Sequence, residues 1–242
     1  MPDRVLGVVP ARGGSSRIPE KNIQPVGDKP LIAHTVDQCS GSGYLDETVV
    51  STDDEAIKRV AEEHGGTVPF LRPAELATDD VPAHLCISHA LDWYRSRGES
   101  FDIVCMIPVT CPLRSATDID GAIEHLSSSD AESVIGVSEY TTPPQWAVAT
   151  DERGYLYEYY EPGQLWPDDA PRSQDVKKLL HPNGAIFVTS VSTWEEYESF
   201  YTDQTAGYEL PPRRGIDIDE PWELELVRAL VSADSSQCPP PR

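Results

Sequence analysis

Along this chain, short apolar runs alternate with stretches whose apolar residues recur three and four positions apart. Val5 to Val9 is an apolar run closed by Pro10, the pattern of a buried strand that feeds a loop. From Pro30 to about Cys39 a proline in the first turn opens a helix, and Glu47 to Ser51 reads as a second strand. Thr52-Asp53-Asp54-Glu55 has capping-box spacing ahead of a helix whose face is Ala56, Ile57, Val60 and Ala61, and Gly65-Gly66 ends it. Val68 to Leu71 reads as a strand, followed by a helix with Ala83, Ile87, Ala90, Leu91 and Tyr94 on one face, then a strand at Ile103 to Ile107. Ser115 to Asp118 is a second capping box, before Ile119, Ala122, Ile123 and Leu126 at i, i+3, i+4, i+7 spacing.

From about Tyr140 to Pro182 the periodicity is lost in a stretch rich in proline and aromatic residues, among them Trp146, Tyr155, Tyr157, Tyr159, Tyr160 and Trp166. This predicts an excursion from the sheet that serves as a lid or a partner-binding lobe. Regularity returns at Ala185 to Val188, then at Arg213 to Ile218 as an edge strand, and at a closing helix with Trp222, Leu226, Val227 and Leu230 on one face. Residues 233–242 read as a disordered tail, which leaves 1–232 as a single domain. Repeated strand–helix units predict an α/β fold, a doubly wound, mostly parallel sheet with helices on both faces. Ligands of such sheets bind beyond the carboxyl ends of strands. That rule brings together the loop at 10–22, the turn after Ile107 and the segment around Asp217.

Composition changes this picture in two ways. The net charge of −22, from 41 acidic and 19 basic residues of which five are lysine, repels nucleic acid and anionic lipid. It also fits a protein kept soluble in very high salt, a halophilic host, with an acidic protein of ordinary habitat as the alternative. No apolar run is long enough for a signal-peptide core or a membrane span, which predicts a cytoplasmic protein. The five cysteines, Cys39, Cys86, Cys105, Cys111 and Cys238, have no Cys-x-x-Cys spacing and read as free thiols rather than a zinc site.

Against so acidic a background, the segment Pro10 to Asn22 carries three cations, Arg12, Arg17 and Lys21, within ten residues. Gly13 and Gly14 let the backbone turn its N–H groups toward an anion, and the hydroxyls of Ser15 and Ser16 add donors. A phosphate cradle accounts for all of these together; an ordinary glycine-rich turn with surface cations is the simpler alternative. The spacing is neither Walker A nor Gly-x-Gly-x-x-Gly. In Asp217-Ile218-Asp219 a strand's alternation puts both carboxylates on one face, hard oxygen ligands suited to Mg²⁺ beside a triphosphate. A polar edge strand guarded against aggregation is the alternative there. His84 and His89 are five apart on a helix and do not share a metal-binding face, His34, His64 and His125 read as helix-surface residues, and His181 as a loop residue. There is no Gly-x-Ser-x-Gly elbow.

Seven segments in order, Pro10 to Asn22, Ser51-Thr52-Asp53, Leu71 to Ala77, Thr110 to Arg114, Arg172 to Asp175, Pro182 to Ile186 and Asp217 to Asp219, resemble the acylneuraminate cytidylyltransferases. The resemblance implies a Rossmann-like nucleotidyltransferase fold with a small dimerisation lobe at 140–182. It further implies that CTP lies across the first loop, contacted by Ala11, Arg12, Gly13, Gly14, Ser15, Arg17, Lys21 and Asn22, with Arg72 near the cytidine. Arg12, Lys21 and Asp217 become catalytic, Asp217 and Asp219 hold Mg²⁺, and Arg172, Gln174 and Asn183 lie near the sugar acid, although a structural role for Asn183-Gly184 is an equal reading. The implied reaction is attack of the anomeric hydroxyl of a nine-carbon 2-keto sugar acid on the α-phosphorus of CTP, with pyrophosphate leaving. The hydroxyl proton goes to Asp217 or to water held by the metal. The implied partners are CTP, the sugar acid and a second copy of the chain.

Two departures stand out. Ser16 occupies the position of a family lysine, leaving Arg17 to supply that charge. Pro108-Val109-Thr110-Cys111-Pro112 lacks the glutamine of sialic-acid enzymes, so legionaminic acid and N-acetylneuraminic acid both stay open, while Pro182 to Ala185 is read as arguing against the pseudaminic-type subgroup. The rival readings are a cytidylyltransferase for the eight-carbon acid Kdo, which shares the Ser15 to Lys21 pattern, and a non-catalytic nucleotide-sugar binding module.

Overall fold

The computed structural model describes residues 3–78, 85–160, 163, 165 and 171–237. Ala83, His84, Trp166, Cys238 and the rest of the tail beyond it lie outside the described residues. The first apolar run is strand β1 (Val5–Pro10), and its side chains divide between two cores: Val5 and Val9 on one face, Leu6 and Val8 on the other. Burial on both faces is why the run is apolar throughout instead of alternating. After the loop come a short hairpin of β2 (Pro25–Val26) and β3 (Lys29–Pro30), helix α1 (Leu31–Ser40), β4 (Glu47–Ser51) and α2 (Glu55–Glu63). Then follow α3 (Cys86–Arg95), β5 (Ile103–Met106), α4 (Ala116–Ser128) and β6 (Ser133–Glu139). The chain leaves the sheet for the small hairpin of β7 (Val148–Thr150) and β8 (Leu156–Glu158). It returns as β9 (Leu180–Ser190), α5 (Val191–Tyr197), β10 (Thr205–Glu209) and α6 (Pro221–Gln237).

The six-stranded sheet has the order β10-β6-β9-β5-β1-β4. Every neighbouring pair is parallel except those made by β9, which runs antiparallel to both β5 and β6. Helices α1, α2, α4 and α6 pack on one face through Leu31, Ile32, Ile57, Ile119, Ile123, Leu224 and Val227; α3 and α5 cover the other through Ile87, Leu91 and Trp194. Parallel strands covered on both faces are the doubly wound arrangement that the strand–helix alternation predicts. Among the described residues no helix is long and apolar enough to cross a membrane.

Local chemistry explains both the matches and the differences. Ser115 and Asp118 form a reciprocal capping box at the start of α4, as their spacing predicts. At α2 the cap is Asp54, whose carboxylate accepts from the Ala56 and Ile57 amides; Thr52 is instead buried in the last bridge of the sheet, with its hydroxyl accepting from Asp54 N. Val68 to Leu71 forms no strand. It runs beside β4 with a single bridge, Leu71 to Thr52, flanked by the bonds Val50 N to Thr67 O and Arg72 N to Thr52 O.

The edge strand is β10, in parallel register with β6 from Thr205↔Ser133 to Glu209↔Val137, and not Arg213 to Ile218. Pro211 and Pro212 have no N–H to donate, so the ladder ends before them and 212–215 form a turn. In α6 the inward stripe is Leu224, Val227 and Val231, whereas Trp222 is 63% exposed and Leu226 also faces solvent. Residues 233–237, read as tail, continue this helix.

Burial governs the cysteines. Cys39, Cys86, Cys105 and Cys111 are free and buried, and loss of hydration pushes the thiols of Cys39 and Cys86 up to about 11, with those of Cys105 and Cys111 also raised. Native protein treated with iodoacetamide at pH 8 is therefore expected to leave these four thiols unlabelled. Peptide mapping after denaturation should show all four modified, and rapid native labelling of any of them would contradict their burial.

Candidate active site

Three chain segments meet at the carboxyl ends of β1 and β5. Beyond β1, Ala11 is buried and donates its amide to Ser51 O at 2.9 Å, so the loop starts pinned to β4. Gly13 N donates to Asp53 Oδ1 at 2.9 Å, and Gly14 sits at φ 69°, a left-handed conformation that reverses the chain cheaply only at glycine. Asn22 is buried and its Nδ2 donates to Arg12 O at 2.8 Å, closing the loop onto itself. The result is a cleft of about 360 Å³ lined by Pro10, Arg12, Ser15, Ser16, Arg17, Lys21, Asn22, Arg72, Met106, Pro108, Val109, Thr110 and Asp219. A larger depression of about 520 Å³ lies at the opposite, amino end of β5, among Asp102, Glu132 and Ser190 to Thr193. Open parallel sheets bind ligands at the carboxyl end, and the concentrated cations are in the smaller cleft.

Arg72 enters the wall of this cleft while 4% exposed, its Nε donating to Ser51 Oγ at 3.0 Å and its Nη2 to Ser51 O. Lys21 reaches across the opening: Nζ donates to Ile218 O at 2.7 Å and lies 3.3 Å from Asp219 Oδ1. Arg17 pairs with Glu220 at 3.3 Å and lies 3.8 Å from Asp219. Ile218 N donates to Thr110 O at 2.9 Å, so the turn after β5 holds the same residue that Lys21 holds. The two aspartates differ sharply. Asp219 is exposed at the rim beside Lys21 and Arg17, whereas Asp217 is half-buried behind Thr110 with its Oδ1 buried and without a hydrogen-bond partner. Burial raises the Asp217 carboxyl above its ordinary range, Thr110 partly offsets this, and the negative charge of Asp219 adds to the rise.

The structure thus gathers Ala11, Arg12, Gly13, Gly14, Ser15, Arg17, Lys21, Asn22, Arg72, Asp217 and Asp219 into one region. Gly13 and Gly14, with Asp53 and Asp54, line a second recess that shares Arg12 with the main cleft. Arg172 and Gln174 are elsewhere. They are exposed on a 3₁₀ turn at Ser173–Asp175 in the excursion, where Gln174 borders a small cleft with Tyr140, Lys177 and Lys178. Asn183 is buried in the sheet and engaged by its neighbours, and His181 stacks on Tyr140.

Sequence reading passed over Thr110 and Arg114 as site residues. Arg114 is 2% exposed and ties the Thr110 turn to its surroundings, donating to Pro108 O at 3.2 Å, Gln38 Oε1 at 2.7 Å and Ala185 O. The position of Thr110 just after a buried strand was the available signal; nothing local marks Arg114 as buried.

Comparisons with known proteins give the family and the fold. Residues 6–196 match the family model described as Cytidylyltransferase. The chain belongs to the cytidylyltransferase family. It is 32% identical over 229 residues to a pseudaminic acid cytidylyltransferase of Campylobacter jejuni, covering 95% of this chain and 97% of that one. It is 33% identical over 231 residues to a CMP-N,N'-diacetyllegionaminic acid synthase of Legionella pneumophila, covering 94% and 96%. An N-acylneuraminate cytidylyltransferase of Streptococcus agalactiae is 32% identical over 88% of this chain and 49% of its own. The pseudaminic-type enzymes, against which Pro182 to Ala185 was read, are about as similar over the whole chain as the others. The fold is shared with a CMP:2-keto-3-deoxy-manno-octonic acid synthetase complexed with CTP, at TM-score 0.69 and 18% identity, over 96% of this chain and 99% of that one. A 4-diphosphocytidyl-2C-methyl-D-erythritol synthase also shares it, at TM-score 0.63 and 12% identity, over 96% and 99%.

Because the folded state raises Asp217 above its ordinary 3.8, it favours the protonated acid. The associated stability is fully present below the unfolded value and is lost as pH rises through the folded one. Asp217→Asn is therefore expected to melt higher than the wild type at pH 7, with the difference shrinking as pH falls toward 4. Calorimetric scans across that range check it, and a lower melting temperature at pH 7 would refute the account of Asp217.

Proposed function

We propose that this cytidylyltransferase transfers CMP from CTP to the anomeric hydroxyl of a nine-carbon 2-keto sugar acid and releases pyrophosphate. The observation that carries the reading is the meeting of Arg12, Arg17 and Lys21 with Asp219 in one cleft, with Asp217 behind it within electrostatic reach of Lys21 and Asp219, in a chain of net charge −22. A triphosphate needs concentrated positive charge, and this cleft is lined by three cations. The names of the relatives supply the acceptor class. They include legionaminic, pseudaminic and N-acylneuraminic enzymes at 32–33% identity. The Kdo enzyme shares the fold at 18% identity and contributes no argument about the acceptor.

In this reading Arg12 and Lys21, with Ser15 and Arg17, hold the phosphates, Asn22 keeps Arg12 and its loop in place, and Arg72 borders the cytidine. The residues fit Mg²⁺: Asp217 presents a buried oxygen with no protein partner, Asp219 adds a second hard oxygen at the rim, and the nucleotide completes the set. Bound there, Mg²⁺ neutralises charge on the phosphates and orients them for in-line attack. The proton of the attacking hydroxyl goes to the ionised Asp217 carboxylate or to water held by the metal. Holding both substrates in a fixed cleft makes the attack effectively unimolecular. CTP is a cytoplasmic nucleotide, and the cytoplasm is the compartment assigned. The exposed stripe Tyr155, Leu156, Tyr157, Tyr159 and Tyr160 on the β7–β8 hairpin suits a second copy of the chain, which could bring Arg172 and Gln174 toward its partner's cleft. The acidic surface fits work in molar salt.

Three measurements test this. Pyrophosphate release from CTP and Mg²⁺ is expected with one of N-acetylneuraminic, diacetyl-legionaminic or pseudaminic acid and not with Kdo, and to persist in molar KCl; no release with any acid in either salt would favour a binding module. Lys21→Ala should lower kcat/KM for CTP by about a hundredfold, the scale of losing one charged contact to a developing oxyanion, and an unchanged value would remove Lys21 from the phosphates. Size-exclusion with light scattering should give twice the 26.7 kDa chain mass, and a monomer at micromolar concentration would refute the dimer.

A further inference from the structure

We propose that Asn183 is a positioning residue for Asp217 and makes no contact with the sugar acid; the inference rests on the cytidylyltransferase reading for what Asp217 does. Asn183 is 4% exposed, and its amide is used on both sides. Nδ2 donates to Ser138 Oγ at 2.9 Å, and Oδ1 accepts from Ala185 N at 3.0 Å. Ser138 Oγ in turn donates to Leu210 O at 3.0 Å. One amide therefore joins β6, β9 and the point where the chain leaves β10 for the segment that bears Asp217.

The surrounding backbone is built to admit that amide. A β-carbon at Gly136, where the β6–β9 register shifts, would lie 2.7 Å from Asn183 Oδ1. At Gly215 it would lie 2.6 Å from both Asn183 Nδ2 and Ser138 Oγ. Real β-carbons do not come so close, so the main chain two residues before Asp217 rests directly on the Asn183 amide. Gly184, at φ 73°, lies against the Asp217 carboxylate: a β-carbon there would be 3.0 Å from Oδ2. Asn183 thus fixes the approach of the chain carrying Asp217 and, through the next residue, the floor beneath its carboxylate. No other side chain of that size offers a donor to Ser138 and an acceptor to Ala185 at once, and an apolar isostere would leave both partners buried and unsatisfied. Residues that orient a metal-binding carboxylate without touching the ion are worth about ten- to a hundredfold in metal affinity.

The test uses Asn183→Ala and, should that chain fold poorly, Ser138→Ala, which keeps Asn183 and removes the hydroxyl link to Leu210. Four readouts are taken on folded protein: Mn²⁺ binding to the CTP complex by electron paramagnetic resonance, kcat, KM for CTP and KM for the sugar acid, with Asp217→Asn as the benchmark. The expected result is Mn²⁺ binding weakened about tenfold by Asn183→Ala and less by Ser138→Ala, with a lower kcat and sugar-acid KM within twofold of wild type. A raised sugar-acid KM with wild-type Mn²⁺ binding would overturn the proposal in favour of substrate contact. Wild-type values for all four in folded Ser138→Ala would overturn it as well, leaving a role in stability alone. A wild-type enzyme that neither binds Mn²⁺ with CTP nor releases pyrophosphate would instead overturn the functional reading itself, and with it the premise on which this inference rests.

Discussion

Ile218 is the residue through which the cleft is assembled. Its amide is held by the carbonyl of Thr110, from the turn after β5, and its carbonyl by the ammonium of Lys21, from the loop after β1. Its own side chain is fully buried in the core. Three segments far apart in sequence are tied at one peptide, and the two aspartates on either side of it inherit their surroundings from that tie. Asp217 is turned toward Thr110 and the sheet, and Asp219 toward the cations at the rim. A strand placed here, as its alternation suggests, would have put both carboxylates in the same environment. The actual segment is neither strand nor helix, and that freedom lets neighbouring acids differ in burial and in proton affinity.

Charge is distributed with the same economy. In a chain with 41 acidic and 19 basic residues, the three cations of the first loop are neighbours of Asp219 and Glu220 or line the cleft with them. Exposed pairs of this kind contribute little to stability, on the order of 0–1 kcal/mol. Their consequence is local: in the proposed reading, cations kept at the cleft by nearby carboxylates exchange those partners for phosphate without unfolding anything. The buried cation, Arg114, serves differently. Its two terminal nitrogens donate to Pro108 O, Ala185 O and Gln38 Oε1, which holds the Thr110 turn at the end of β5, while its Nε is buried without a partner among the described residues.

Much of the fold was legible because its signals are local. The apolar run of β1, the spacing of Ile119, Ala122, Ile123 and Leu126, and the Ser115 box each depend on residues within two turns of one another. The cation cluster was legible for a similar reason, since three positive charges in a negative chain stand out wherever the chain goes. Asn183, by contrast, has the same sequence signature whether it faces a ligand or the sheet interior. The stripe of α6 was read correctly at Val227 but not at Trp222 and Leu226, which are as apolar as Leu224 and Val231, and only the packed core distinguishes the two faces. Thr52 lost its capping role to Asp54 because the sheet claims Thr52 as a buried bridge residue.

By itself, then, the sequence determined the alternation of strands and helices, the glycine-rich loop with its charges, and the family to which those segments bear a resemblance. Periodicity, capping and charge are properties of neighbours along the chain. The tertiary structure alone decided that β10 and not the Asp217 segment forms the sheet edge, that Asp217 is shielded while Asp219 is open, and that Asn183 lies under the site. Those outcomes depend on strand register and on contacts between residues 45 to 197 positions apart, where the nearest partner is chosen by packing and not by sequence proximity.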